Sequence, residues 1–357
     1  MRATFTEEQR LVAETIERMA KGGVDAAQRV LHGGDWPSDP DADLIRDWSG
    51  LGVPEADGGA GGGLLELALV VRELARGLMP NRFTAHVMAL QAGLGAGLPL
   101  AAALENGERW CLAVGEAAAG PFGPFHGRLK SGGIHARKIG VPHAQGADRV
   151  AVLLDEDRLA LACPDRLEPV PVFDPLNPAA DLAFEGGKPS AVGSGARGGL
   201  LRACALLAAD LCGTASGALE LGAEHARNRV QFGKPIGAFQ AVAHQLADAL
   251  VAAETAWSLT LYACWALDNG IRDAAKAVHA AKARAADAAL FAAERTLQVH
   301  GGMGMTWEAA PHLYLRHAQA GSAWLGGPGW HRRRVGVALL ERFRNDGNSY
   351  EPSLEPH

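Results

Sequence analysis

Apolar residues at Leu11, Val12, Ile16 and Met19 recur at helical spacing and follow Thr6-x-x-Gln9, the pattern of a capping box. That spacing predicts an opening helix. A glycine-rich loop, GLGVPEADGGAGGG (50–63), separates it from LLELALVVRELARGL (64–78), and helix-forming sequence continues to about Glu105. The period changes at Trp110. Short β-prone runs, WCLAV (110–114), RVAVLL (149–154) and RLALAC (158–163), are bounded by Gly, Pro and Asp and predict a small antiparallel β domain. From Gly198 to Val299 the chain is rich in Ala and Leu with few breakers, which predicts long helices packed as a bundle. The expected fold class is α+β in the order α, β, α. Boundaries are expected at 1–108, 109–195 and 196–345, with a polar tail, 346–357, that frays.

Composition narrows the function. The chain has 357 residues and 48% apolar content, ample for packed cores. Net charge is −6, and the only dense basic cluster is His331-Arg332-Arg333-Arg334, so no nucleic-acid partner is expected. Five cysteines lie far apart without a C-x-x-C pair and read as small buried hydrophobes; they and the thirteen histidines suggest no metal site. The N-terminus lacks an apolar leader core, and no stretch offers the roughly 18 uncharged apolar residues of a membrane span. A soluble cytoplasmic protein is expected.

Two stretches carry the chemistry. The first is Arg229-x-Gln231-Phe232-Gly233 followed by Phe239-Gln240, His244 and Leu246-Ala247-Asp248; the second, about seventy residues on, is QVHGGMGMTWE (298–308). Together they resemble the C-terminal flavin-site motif and the Q-x-x-G-G-x-G signature of the acyl-CoA dehydrogenase family. FTEEQ (5–9) and LGVPEADGG (51–59) match as well, so the resemblance covers nearly the whole chain.

The resemblance implies an N-terminal helical domain, a middle antiparallel β domain and a C-terminal four-helix bundle. It also implies FAD shared across a subunit interface, an acyl-CoA substrate desaturated between the α and β carbons, and an electron-acceptor flavoprotein. One subunit surrounds the flavin ring while its neighbour grips the pyrophosphate and adenine. For that donated grip, Arg229 would pair with pyrophosphate. Phe232 would offer an apolar face, Gln231, Gln240 and Gln298 polar contacts, and Gly301 and Gly302 a close backbone approach. Read singly, each of these has a bland alternative as a solvated bundle residue or a helix end.

The receiving half departs from the family. Its Thr-Glu-Pro segment reads Gly115-Glu116-Ala117 here, and N-G-x-K-x-W-I-T reads His135-Ala136-Arg137-Lys138-Ile139-Gly140-Val141-Pro142. Lys138 keeps the register, Gly140 replaces the tryptophan over the ring, and Pro142 replaces its hydroxyl donor. Counting from Arg316, the catalytic glutamate falls on Leu325; the alternative base position, beside Arg202, is Ala203. Asp210, two helical turns from Ala203, is too distant to substitute, and Glu308 has a structural role. Leu313 in place of a basic residue and His317 in place of the aspartate suggest relaxed constraint.

The expectation is a subunit without a catalytic residue, paired in a heterotetramer with a homologous catalytic chain and acting on an acyl-CoA such as a steroid side-chain thioester. Gly140 and the Gly326-Gly327-Pro328-Gly329 loop would leave room for a bulky ring system. The alternatives are a homotetrameric dehydrogenase or oxidase with a displaced base such as Glu116, and a flavin-free relative that binds acyl thioesters or serves as a scaffold.

Overall fold

The computed structural model describes residues 5–36, 38–117, 125–154 and 157–345; the tail expected at 346–357 lies outside them. Helix α1 (Glu7–Met19) starts at the predicted box: Gln9 N–H donates to Thr6 Oγ1 at 3.2 Å, and Thr6 N–H donates to Gln9 Oε1 at 2.9 Å. Then follow α2 (Gly23–Leu31), α3 (Ser38–Trp48), α4 (Leu64–Arg76), α5 (Phe83–Gly95) and α6 (Ala101–Asn106). Helix α5 is buried on nearly every side, from Phe83 to Gly93. A helix apolar all round belongs inside; it packs on the bundle helix α7 (Ala196–Asn228) and on strand β1 (Trp110–Ala113).

The middle region is a sandwich of two four-stranded sheets. One runs β1, β4 (Arg149–Leu153), β5 (Arg158–Ala162), β8 (Ala191–Ser194); the other runs β2 (Arg128–Lys130), β3 (Gly133–Pro142), β7 (Ala179–Glu185), β6 (Arg166–Val170). The three apolar runs read in the sequence are β1, β4 and β5. Beyond the opening Arg149 and Arg158 they are apolar throughout because both faces of their sheet are covered: Cys111, Val150, Val152 and Ala160 face the second sheet, while Trp110, Leu112, Ala151 and Leu159 belong to the helical core. One pair departs from the antiparallel expectation, since β1 runs parallel to β4. The chain leaves β1 for the other sheet and returns in the same direction, as a parallel pair requires.

Helix α7 is the axis of the C-terminal bundle, joined by α8 (Gln240–Asp268), α9 (Ala274–His300), α10 (Pro311–Ala323) and α11 (Pro328–Asn345). Small residues let these helices approach closely. A Cβ on Gly213 or Gly217 would lie 2.1 Å from the carbonyl oxygen of Arg72 or Arg76 on α4, and α9 buries Ala281, Ala285, Ala288, Ala289 and Ala292 completely. Two of these helices, α7 and α8, are long and apolar enough to cross a membrane by length and composition, which the sequence reading did not anticipate. In α7, however, 78% of the most apolar window is buried against its neighbours, against 44% in α8.

Candidate functional site

At one end of the bundle the C-terminus of α7, the N-terminus of α8 and the C-terminus of α9 converge. Thr296 Oγ1 donates to Ala218 O at 2.6 Å, Arg295 Nη1 donates to Gln245 Oε1 at 3.4 Å, and the rings of His225 and His300 stack. Every residue of the expected nucleotide grip lies on the elements meeting here, and each is exposed. Arg229 ends α7 and makes no ion pair among the described residues. Gln231 is on β9 (Val230–Gln231), which pairs with β10 (Lys234–Pro235); Gln240 is the first residue of α8, and Gln298 lies in the last turn of α9.

The loop of this hairpin is Phe232-Gly233, at φ 52° and 82°. Two consecutive positive φ values define a turn type that favours Asn-Gly. Phenylalanine in that conformation costs on the order of 1 kcal/mol, yet its side chain is 91% exposed, with only an edge-on contact to Phe239 at 6.1 Å. A strained, uncovered aromatic contributes nothing to this chain alone. After α9 the backbone turns through Gly301 at φ 63°, ψ −143°, a conformation open essentially to glycine alone. Neither Gly301 nor Gly302 has an atom within 4 Å of a built Cβ, so their backbone faces open space. An unpaired guanidinium, three exposed amide side chains, an exposed aromatic and two bare glycines suit an anionic nucleotide tail. The donor set fits the diphosphate and adenine end of FAD.

The compartment on the other side of the chain is different. Strand β3 shifts register between Lys138 and Val141, and within that bulge Gly140 sits at φ 56° with its N–H donating to Asp181 Oδ1 at 2.8 Å. Pro142, at the end of β3, faces a cavity of only about 60 Å³ that is also lined by Thr84, Leu207, Asp210, His317 and Trp324. Small-molecule sites usually measure ~300–1,000 Å³. The cavity at Pro142 is far smaller because charged side chains fill it, whereas a cavity of about 350 Å³ lies beside Gly140, lined by Arg137, Lys138, Ile139 and Asp181.

The filling is a buried cluster of three charges. His317 Nδ1 lies 2.8 Å from Asp174 Oδ2 and Nε2 lies 3.0 Å from Asp210 Oδ1. With a carboxylate at each nitrogen, both must donate, and the ring is an imidazolium. Burial opposes that charge, but Asp210 and Asp174 outweigh it and hold the pKa of His317 well above 6.5. Burial likewise opposes ionisation of Asp174, which is nevertheless held below 3.8 by His317, Asn177 and the Leu176 N–H. His317 and Leu313 were read as signs of relaxed constraint. Instead His317 anchors this cluster, and Leu313 is fully buried core.

The two base positions are apolar and enclosed. Ala203 is fully buried, and Leu325 is 4% exposed at φ 52°. Carbonyl groups of the Leu325 turn are held in place: His331 Nε2 donates to Leu325 O at 3.0 Å, and the buried Lys282 ammonium donates to Gly321 O, Ser322 O and Gly326 O. Arg202 donates to Gln91 Oε1 and pairs with Asp268, linking the bundle to α5. Glu308 is exposed, and its carbonyl accepts from Gln28.

Glu116, the displaced-base candidate, is fully engaged. Its carboxylate pairs with Lys138 Nζ at 2.6 Å and accepts from the N–H groups of His126 and Gly127, and Lys138 is wholly buried. Lys138→Met is expected to lower unfolding free energy by about 3 kcal/mol, because it strands a buried carboxylate. Urea denaturation measures this. A change below about 1 kcal/mol would mean that Glu116 has free alternatives and is not locked.

Comparison with known proteins follows the same outline. The family model described as acyl-CoA dehydrogenase, N-terminal domain, matches residues 6–104, and the one described as acyl-CoA dehydrogenase, C-terminal domain, matches residues 196–340. The acyl-CoA dehydrogenase IpdE2 of Mycobacterium tuberculosis is 33% identical over 95% of this chain and 99% of its own length. FadE34 of the same organism, also an acyl-CoA dehydrogenase, is 34% identical over 96% of this chain, which spans about half of that protein. Among solved structures, a variant of the Tcur3481-Tcur3483 steroid ACAD superposes with TM-score 0.84 at 28% identity, covering 95% of this chain and 99% of that one. The ChsE4-ChsE5 complex from Mycobacterium tuberculosis shares the fold, with TM-score 0.83 at 24% identity, covering 96% and 99%.

Proposed function

This chain belongs to the acyl-CoA dehydrogenase family of oxidoreductases, and within that family we propose that it is a partner subunit. In this reading it donates the FAD diphosphate and adenine grip to a homologous chain that carries the glutamate and the flavin ring. FAD, when bound, supplies the hydride acceptor for α,β-desaturation of an acyl-CoA thioester. What this chain supplies is binding and orientation: Arg229 offers paired donors to the diphosphate, Gly301 and Gly302 a close backbone approach, and Phe232 an apolar face.

One observation carries the proposal. The cavity beside Pro142 is about 60 Å³ and bordered by the paired His317 and Asp210, while the residues of the expected grip lie exposed together at one end of the bundle, with Phe232 at positive φ. A subunit working on its own ring and substrate needs the opposite arrangement. A homomeric enzyme using Glu116 is disfavoured, because that carboxylate is already spent on Lys138 and two backbone donors. The likeness to a steroid ACAD favours a steroid-type CoA thioester as the substrate of the complex.

The test is flavin stoichiometry. The tagged chain is isolated from its own host cells with whatever co-purifies, and flavin is counted per polypeptide. One flavin per two unlike homologous chains, with no acyl-CoA turnover by this chain alone, is expected. One flavin per chain in an active homomer rules the proposal out.

A further inference from the structure

Two histidines border the proposed grip and have no part in the reading above. His225 lies one turn before Arg229 on α7, and His300 ends α9 directly before Gly301. Their rings stack with centroids 4.1 Å apart and planes 23° apart. His300 Nδ1 lies 2.8 Å from Thr296 O, so Nδ1 carries the hydrogen and Nε2 is left to accept or, once protonated, to donate. Among the described residues neither imidazole nor Arg229 has a carboxylate partner.

Among the described residues, no nearby carboxylate is paired with them, although Glu224, Glu294 on α9 and Asp248 on α8 are exposed acids of the same elements. Burial first, then His300 and Arg229, hold the His225 pKa below 6.5. On α7, Glu224 and Arg227 are exposed and lie about 100° and 200° round the helix from His225. On α9, Arg295 is engaged with Gln245 and the Phe291 ring; on α8, His244 is exposed; on the hairpin, Lys234 lies over the Phe239 ring. Three groups able to carry positive charge thus gather from two helices with no acid paired to them among the described residues. Such an arrangement is unfavourable until an anion enters it.

We infer that His225 and His300 act with Arg229 as one diphosphate grip, in which arrival of the nucleotide tail brings a single proton from solvent onto the imidazole pair. The inference rests on the partner-subunit reading and adds a regulatory property to it. A single proton suffices, because two stacked imidazolium rings would repel each other. The sign follows from linkage: His225 is held below 6.5 before the nucleotide arrives, the bound anion favours the charged form, and a proton is taken up on binding. Nucleotide affinity therefore falls as pH rises. The flavin diphosphate is a diester with no ionisation of its own in that range.

The experiment measures FAD release from the co-purified complex at about pH 6 and about pH 8. Wild type is expected to release roughly tenfold faster at the higher pH, the equivalent of one unit of pKa shift. His225→Phe keeps the ring stack without its nitrogens, and His300→Gln removes the titrating ring; each is expected to release quickly at both values. Wild-type retention and an unchanged pH slope in both variants would overturn the inference. Arg229→Ala, run alongside, separates the two levels. Flavin lost in Arg229→Ala with the slope intact in the histidine variants sinks this inference alone, whereas flavin kept in Arg229→Ala sinks the underlying reading too.

Discussion

Arg229→Ala is expected to weaken flavin retention by the assembled complex by about 10- to 100-fold while leaving the melting temperature of this chain unchanged. Charge-assisted hydrogen bonds to phosphate contribute about 1.5–3 kcal/mol, which converts to that range of affinity. The folded chain loses nothing comparable, because Arg229 is exposed at the end of α7 and forms no ion pair among the described residues. Arg229→Lys keeps the charge but not the planar fork and is expected to fall between. Flavin absorbance per polypeptide after gel filtration, with a thermal melt on the same sample, measures both quantities. If a flavin-bearing complex survives the alanine change with full occupancy, the arginine does not hold the cofactor. If the wild-type complex carries no flavin at all, the scaffold alternative is the better account.

The second large effect is on stability. Removing the imidazole in His317→Ala leaves the buried carboxylates of Asp174 and Asp210 without their shared counter-charge, at an expected cost of about 3–5 kcal/mol. The pH dependence identifies the cause. The folded pKa of His317 is raised well above 6.5, so its contribution is complete below about 6.5 and is lost as pH climbs through the folded value. Asp174 is depressed below 3.8, so its contribution is present above that value and disappears as pH falls through the folded one. Wild type should therefore weaken on the alkaline side of neutrality, and His317→Ala should lose that slope. Denaturant midpoints collected across pH decide it: superimposable alkaline profiles would show that the ring is not charged in the native state.

Much of this architecture can be read from local pattern. The capping box at Thr6 and Gln9, the three apolar strands and the alanine-rich bundle depend on neighbours a few residues apart, which periodicity captures. The segments of the proposed grip are legible for a related reason: Arg229 to Gln240 is one continuous stretch and Gln298 to Gly302 another, so spacing alone carries the resemblance. The His317 cluster was not legible, since its partners lie 107 and 143 residues away and each looks ordinary in isolation. A signal did exist: a basic residue in place of an acidic one at 317 asks for a new acid elsewhere, and Asp210, set aside as a base by its distance from Ala203, is such an acid. The same limit hid the commitment of Glu116 to Lys138 and the parallel pairing of β1 with β4, both of which depend on how distant strands are laid side by side.

The bulge at Gly140 limits which residues can stand there. Tryptophan at 140 would force an L-residue into the left-handed region, at a cost of roughly 1–2 kcal/mol. Straightening the strand to avoid that would slip the pairing of Val141 with Ala180, send alternate side chains to the opposite face and strip Asp181 of its N–H partner. A larger side chain at 140 therefore meets either backbone strain or a register slip. Position 140 is thus tied to glycine by the pairing of its own strand, whatever side chain would suit the neighbouring cavity.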